Sequence, residues 1–409
     1  MSLGIKISMT GSRKPKKQVL VFIEDGSFTY DNRIIRETNA LVADGWKVIV
    51  ISPKYPDDPL YKKLGPRLHA YYYPKPTAES AFGHVLEHSL SLLFGTILTF
   101  WVAIRHGFRV FHACNPLDVL WLIAMPYKLL GKRFVFDQHD LCPELYLSRG
   151  EGGNTSFFYR ALMFLERKSY QKADAVIATN ESYKRIAIER GGKEAESVFV
   201  VRNGPDLEKF RRVAPKPGLK NEGELLVGYL GNMNRQDGVD TLLHVARNLK
   251  TNLERENVRF VFIGGGSCQT ELSEQAQDMG LGDCVMFTGR IPDEDMLAVL
   301  SACDVCVQPD PKNPLNDKST MNKVMEYMAL EIPVVAFDLT ETRVSCGEAA
   351  LYATPNDVED FSKKLVELLD DPDRRQEMGQ LGRQRIENKL SWQYSVPNLL
   401  AAYEYATTS

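Results

Sequence analysis

The chain lacks most of the features that assign a sequence at once. Its cysteines number only seven (Cys114, Cys142, Cys268, Cys284, Cys303, Cys306, Cys346), odd in count and scattered through apolar runs. That excludes a disulfide framework and reads as reduced core thiols. Cys303 and Cys306 have CxxC spacing, but no second Cys or His pair accompanies them, so neither a metal nor a redox role is expected. Charge of one sign is missing too: 50 Lys and Arg face 53 Asp and Glu, a formal charge of -3. Nothing global draws this chain to nucleic acid. No GxGxxG follows a strand, which weakens a nicotinamide reading. The longest apolar run, Leu90–Ile104, contains Ser91, Gly95, Thr96 and Thr99 and falls short of the roughly 20 residues of a spanning helix. It reads as a buried or membrane-touching helix rather than an anchor. Met1–Lys17 is polar and basic, with no apolar stretch of signal-peptide length behind its charges. The expected location is cytoplasmic, with peripheral contact at the inner membrane face as a further expectation.

What is present is a rhythm. At 409 residues, 44% hydrophobic, the chain exceeds what one core usually organises. Short β-branched runs at Val19–Ile23, Lys47–Ile51, Arg109–His112, Phe134–Phe136, Ala175–Ala178 and Val198–Val201 alternate with helical patterns, among them Asn32–Asp44, Ala81–Arg105 and Phe157–Lys172. Continuous apolar strands between helices predict a parallel sheet covered on both faces. A polar, proline-bearing stretch around residues 211–223 interrupts the pattern, which restarts at Leu225–Leu230 and runs through Arg259–Ile263, Val285–Phe287, Val305–Val307 and Val334–Phe337. The expectation is α/β: two doubly wound, Rossmann-like domains facing across a cleft. Domain one is 1–214, the linker 215–223, domain two 224–390, and a final helix, 391–409, returns to the first domain.

Candidate site residues lie where strands end. Gly26, in the first strand-to-helix turn, lets a ligand approach the backbone. His139, within Phe136-Asp-Gln-His-Asp140, stands with carboxylates at a strand's carboxyl edge. In the second half Gly231 and Arg235 occupy a glycine turn, and Arg235 suits a pyrophosphate. Gly264-Gly-Gly-Ser267 repeats the pattern. Most informative is Lys318-Ser-Thr-Met-Asn-Lys323-Val-Met-Glu326-Tyr-Met-Ala329. A polar loop with two lysines enters a helix whose amides suit phosphate oxygens. Asp293-Glu-Asp295 has DxD spacing, but its place at a helix start reads as an N-cap with first-turn acids.

These residues carry a resemblance over nearly the whole chain. Asp44–Val50, Val135–Asp140, Val200–Asp206, Phe287–Arg290 and, most specifically, Glu326-Tyr-Met-Ala with Pro333-Val-Val resemble, in order, motifs of the family-four glycosyltransferases. These are retaining enzymes of the GT-B fold that use nucleotide-sugar donors. The resemblance implies that Glu326 binds the donor ribose, that Gly289, Arg290 and Ile291 meet the base, that His139 contacts the transferred sugar and that Gly26 lies beside the phosphates. Thr320, Met321, Asn322 and Lys323 complete the donor side. Lys318 stands where the family usually has the first Glu of E-x7-E, and a family subset shares the Lys. The usual Arg and Lys of the phosphate loop fall on Asn232 and Asp237, leaving Arg235, Lys318 and Lys323 to neutralise charge. His139 and Lys318 are the expected catalytic residues. The resemblance implies no metal and no cofactor beyond a UDP- or GDP-sugar as co-substrate. It also implies a glycan or lipid-linked acceptor, as in cell-surface polysaccharide or glycolipid synthesis. A nucleotide-sugar 2-epimerase and a catalytically dead donor-binding subunit are the competing readings.

Overall fold

The computed structural model describes residues 17–75, 81–150 and 152–408, the side chains of 81–85 excepted. Most of the basic N-terminal segment lies outside the described residues. The chain forms two compact units. One runs to Cys114 and adds Leu122–Phe134; the other takes Asn115–Trp121 and everything from Val135.

In the first unit, β1 (Gln18–Ile23), β2 (Lys47–Pro53), β3 (Tyr61–Lys63), β4 (Leu68–Tyr73) and β5 (Val110–Cys114) run in the order β3-β4-β2-β1-β5. All pairings are parallel except the β3–β4 hairpin. The helix Asn32–Ala43 starts cleanly because the Asp31 carboxylate accepts from the amides of Arg33 and Ile34, 3.0 Å each. β3 and β4 were not expected. Leu68-His-Ala-Tyr-Tyr-Tyr73 is aromatic rather than β-branched, and all six residues are buried.

The second unit opens with β6 (Arg133–Gln138), whose later residues belong to it, β7 (Ala175–Ala178) and β8 (Val198–Val200), paired in parallel. The final helix, Val396–Thr408, packs on β7 and β8. Asn398 donates to the Val200 carbonyl at 2.8 Å, and Ser395 to that of Arg202 at 2.8 Å. Pro397 sits in its first turn, where a missing N–H costs nothing.

A six-stranded parallel sheet follows: β9 (Leu225–Leu230), β10 (Val258–Ile263), β11 (Val285–Gly289), β12 (Val305–Gln308), β13 (Val334–Phe337) and β14 (Ala350–Ala353). Its order is β11-β10-β9-β12-β13-β14. Successive residues alternate between two cores. Val227, Tyr229, Phe260, Phe262 and Phe337 enter one; Leu226, Val261, Ile263, Cys306 and Ala336 enter the other. Both faces are covered, which is why its strands read as unbroken apolar runs. The fold class is therefore two parallel-sheet α/β domains. The stretch 215–223 docks on this unit, with Lys216 3.1 Å from Asp295, Lys220 on Asp304 and Leu219 buried. One local expectation fails. Asp293 does not cap its helix; Pro292 holds the cap position, and Asp293, Glu294 and Asp295 form the first turn. A proline φ favours that entry, and the acids still complement the helix dipole.

Candidate active site

In the second unit the carboxyl ends of β9, β10 and β11 bring three glycine turns together. The Gly264 amide donates to the Gly289 carbonyl (3.0 Å), Met233 N to Gly265 O (3.1 Å) and Gly231 N to Ile263 O (3.0 Å). Gly264 has φ 126°, and a Cβ there would collide with the Gly231 carbonyl. Only glycine fits, because the two turns touch backbone to backbone. The turn Arg235–Asp237 is closed by reciprocal Asn234 and Asp237 bonds and joined to the loop before the Lys323 helix. Asn316 donates to Gln236 O at 3.0 Å and to Pro311 O at 2.9 Å.

The helix Asn322–Ala329 lies against these turns, with the Lys323 side chain beside Gly231. It is held by Tyr327, whose hydroxyl accepts from Leu230 N at 2.7 Å. Lys323 lies 4.9 Å over the Tyr229 ring and pairs with Asp310 at 2.8 and 3.1 Å. Burial works against its ammonium, but Asp310 outweighs that and holds the proton more tightly than usual. Burial also raises the Asp237 carboxyl above its ordinary range, against the pull of Lys323. Arg235 and Arg290 are exposed at the same turns, Arg290 flanking Gly265.

A second cluster gathers around the end of β6. His139 Nε2 donates to Asp137 Oδ2 at 2.6 Å, and Asp137 is fully buried. Asn115 fixes the turn: its Oδ1 accepts from the amides of His139 (2.6 Å) and Asp140 (3.0 Å), and its amide nitrogen donates to Asp140 O at 2.7 Å. In the helix Cys142–Ser148 that follows, Glu144 receives both arms of Arg190, at 2.7 and 3.1 Å. Arg190 also donates to Glu166 at 2.7 Å. Burial pushes Glu166 up to about 8 despite Arg190, and Asp118 up to about 7 despite Asn115.

Lys318 joins this cluster to the Lys323 helix. Its Nζ lies 3.7 Å from Glu144 Oε1. Its carbonyl and the Thr320 hydroxyl both accept from Asn180, at 2.8 and 3.0 Å. In the first unit, Gly26 borders a cavity of about 430 Å³ with Asp25, Tyr55, Lys75 and Glu87. Behind it the buried Glu24 meets Lys75 and His88 at 3.1 Å each. Burial pushes the Glu24 carboxyl up, but His88 and Lys75 outweigh it and hold it below the ordinary range.

Comparison with known proteins decides the family. The profile described as "Glycosyl transferases group 1" matches residues 210–385, and "Glycosyltransferase Family 4" matches 32–209. The chain belongs to the group 1 glycosyltransferases.

Among solved structures, the GT-B fold of sucrose-phosphate synthase from Thermosynechococcus elongatus superposes with a TM-score of 0.77 at 18% identity. The match covers 96% of this chain and all of that one. Anabaena HepE in complex with UDP-glucose gives 0.67 at 16% identity, covering 95% and 99%. At such identities these show the fold. Among characterised sequences, the D-inositol 3-phosphate glycosyltransferase of Corynebacterium kroppenstedtii is 25% identical over 59% of this chain and 55% of its own length. The alpha-maltose-1-phosphate synthase of Mycolicibacterium smegmatis is 27% identical over 67% and 73%. The match thus spans little more than half of the first of these relatives.

Within this glycosyltransferase the sequence-predicted residues fall into groups. Gly231, Arg235, Gly289, Arg290 and Lys323 gather at the glycine turns; Met321 caps the helix that Asn322 begins, and Glu326 lies one turn further along it. Lys318 and Thr320 face the Asn180 and Glu144 side. His139 stands five residues before Glu144, and Gly26 belongs to the first unit. Sequence reasoning missed Asn115, Glu144 as the partner of Lys318, and Asp310 as the partner of Lys323. Asn115 follows a strand directly, the one signal available for it.

Proposed function

We propose that this glycosyltransferase moves a sugar from a nucleotide-sugar donor, a UDP- or GDP-sugar, to an acceptor hydroxyl with retention of configuration. The observation that supports this best is the backbone contact of the Gly231 and Gly264 turns at the N-terminus of the Lys323 helix. It leaves amides and cations, but no side-chain bulk, where a diphosphate would lie. Glu326 on that helix would take the ribose hydroxyls, and the Gly289–Ile291 strand end the base. The Asn232 and Asp237 departures leave Arg235, Lys318 and Lys323, joined by the exposed Arg290, to offset developing charge on the leaving group. No metal is required in this scheme. The Asp137–His139 pair is fixed at its turn by Asn115 and would meet the transferred sugar. Lys318, tethered to Glu144, replaces a carboxylate by a cation at the sugar end. The leaving phosphate takes the acceptor proton, so no strong protein base is needed. The cavity beside Gly26, with its Glu24–Lys75–His88 charges, suits a polyhydroxylated acceptor, which we take to be a glycan on a lipid carrier at the inner membrane face.

The test is calorimetric titration with UDP, GDP and ADP, followed by nucleotide release from a donor panel with and without acceptors. Micromolar binding of one nucleotide and acceptor-dependent release support transfer. Acceptor-independent conversion of the donor sugar would instead indicate the 2-epimerase. Binding without turnover would indicate a donor-binding subunit.

A further inference from the structure

The helix Ala81–Arg105 of the first unit is inside out for a protein in water. The face it turns to the sheet is small and partly polar. Ser91, Thr99 and Val102 are each 0% exposed, and Gly95 lies so close to Phe22 that a Cβ would strike the ring. The Ser91 hydroxyl is 2.8 Å from that of Tyr73. The opposite face is large and apolar: Leu93 is 53% exposed, Ile97 58%, Phe100 62% and Ile104 72%. A surface helix normally places these two sets the other way round. From Ser89 to Ile104 it carries no charged residue, and by length and composition alone it could cross a bilayer. Its inner face, however, is occupied by β1 and β4, so lipid can reach one side only.

The end of the helix says what covers that side. Trp101 is half exposed and carries the Arg105 guanidinium 5.3 Å over its ring. Its ring also meets Tyr71 edge-on, and Tyr71 packs at a tilt against Tyr61 of β3 (5.3 and 4.8 Å). Beyond Tyr61 stand the exposed Lys62 and Lys63. An apolar face ending in an aromatic belt and a cationic rim complements an anionic bilayer surface, chains against Phe100 and phosphates against Arg105, Lys62 and Lys63.

We propose that the outer face of this helix lies in the plane of an anionic membrane, with Leu93, Ile97, Phe100 and Ile104 among the acyl chains and Trp101 at the headgroup level. The face belongs to the first unit and the donor residues to the second, so its failure and the failure of sugar transfer are distinguishable.

The experiment is flotation of the full chain with phosphatidylcholine vesicles and with vesicles containing about a third phosphatidylglycerol. The Ile97→Asp, Phe100→Asp double variant is run in parallel, and its fold is checked by circular dichroism and nucleotide binding. Both positions are exposed, so the variant should fold. The expected result is flotation with anionic vesicles, weakened at least about tenfold by 0.5 M salt and lost in the double variant. Tryptophan fluorescence should be quenched by bromine-labelled lipid, and Trp101→Phe should remove most of that quenching. No flotation with either vesicle would overturn the proposal. So would a dimer in light scattering that the double variant converts to monomer, since the face would then belong to a second copy.

Discussion

At the scale of single residues, Asn115 matters out of proportion to its size. One side chain satisfies the amides of His139 and Asp140 and returns a bond to the Asp140 carbonyl. Asn115→Ala leaves those amides unpaired, which should cost about 1–3 kcal/mol in denaturant unfolding. By releasing the His139 turn it should also lower the transfer rate about tenfold or more, with nucleotide affinity unchanged in calorimetry. Lys323 poses the opposite problem, because it is already neutralised by Asp310. Removing the lysine alone should destabilise the protein by about 3–5 kcal/mol, since it strands a buried carboxylate. Pairing Lys323→Met with Asp310→Asn should restore much of that stability in thermal unfolding. If Lys323 also serves the diphosphate, nucleotide affinity should stay weak in the double variant. Recovery of affinity would make the lysine purely structural.

At the scale of elements, the helix Phe157–Lys172 carries a pH signature. Glu166 on this helix faces Arg190, Glu144, Asp118 and Gln138. Its carboxyl is raised from 4.5 to about 8, so the folded state keeps a proton that the unfolded chain gives up. Its contribution is fully present below about pH 4.5 and is lost as pH rises through about 8. Asp118, raised from 3.8 to about 7, acts in the same direction. Melting temperature should therefore decline across this window, and Glu166→Gln should flatten the decline. An unchanged slope would remove Glu166 from the explanation.

Elements were also where the sequence was most legible. Val19–Ile23, Leu225–Leu230 and Val334–Phe337 announce themselves because strands buried on both faces must be apolar throughout. Leu68–Tyr73 escaped because aromatic residues beside Pro66 and Gly65 look like a loop, and Ala350–Ala353 because four small and mixed residues carry no period. The site was legible where glycine or a helix entry is needed, as at Gly231, Gly289 and Lys323. Its ion pairs were not, because Lys318 meets Glu144 and Lys323 meets Asp310 only through the fold.

For the molecule as a whole, the proposed reaction leaves charge neutralisation to protein groups on the second unit. Turnover should therefore be unchanged by EDTA and unaffected by added Mg²⁺ or Mn²⁺, checked by initial rates of nucleotide release. A rate restored only by a divalent ion would transfer that role to a metal. In the proposed reaction the Gly231, Gly264 and Lys323 surface holds a nucleotide-sugar whose sugar is passed on. This is tested most directly by incubating the protein with UDP- and GDP-sugars and a lipid-linked glycan acceptor, and following product by mass spectrometry. The expected product is an acceptor heavier by one sugar, formed with one of these donors and abolished by Glu326→Ala. Absence of any nucleotide binding and of any glycosylated product across the panel would contradict this reaction.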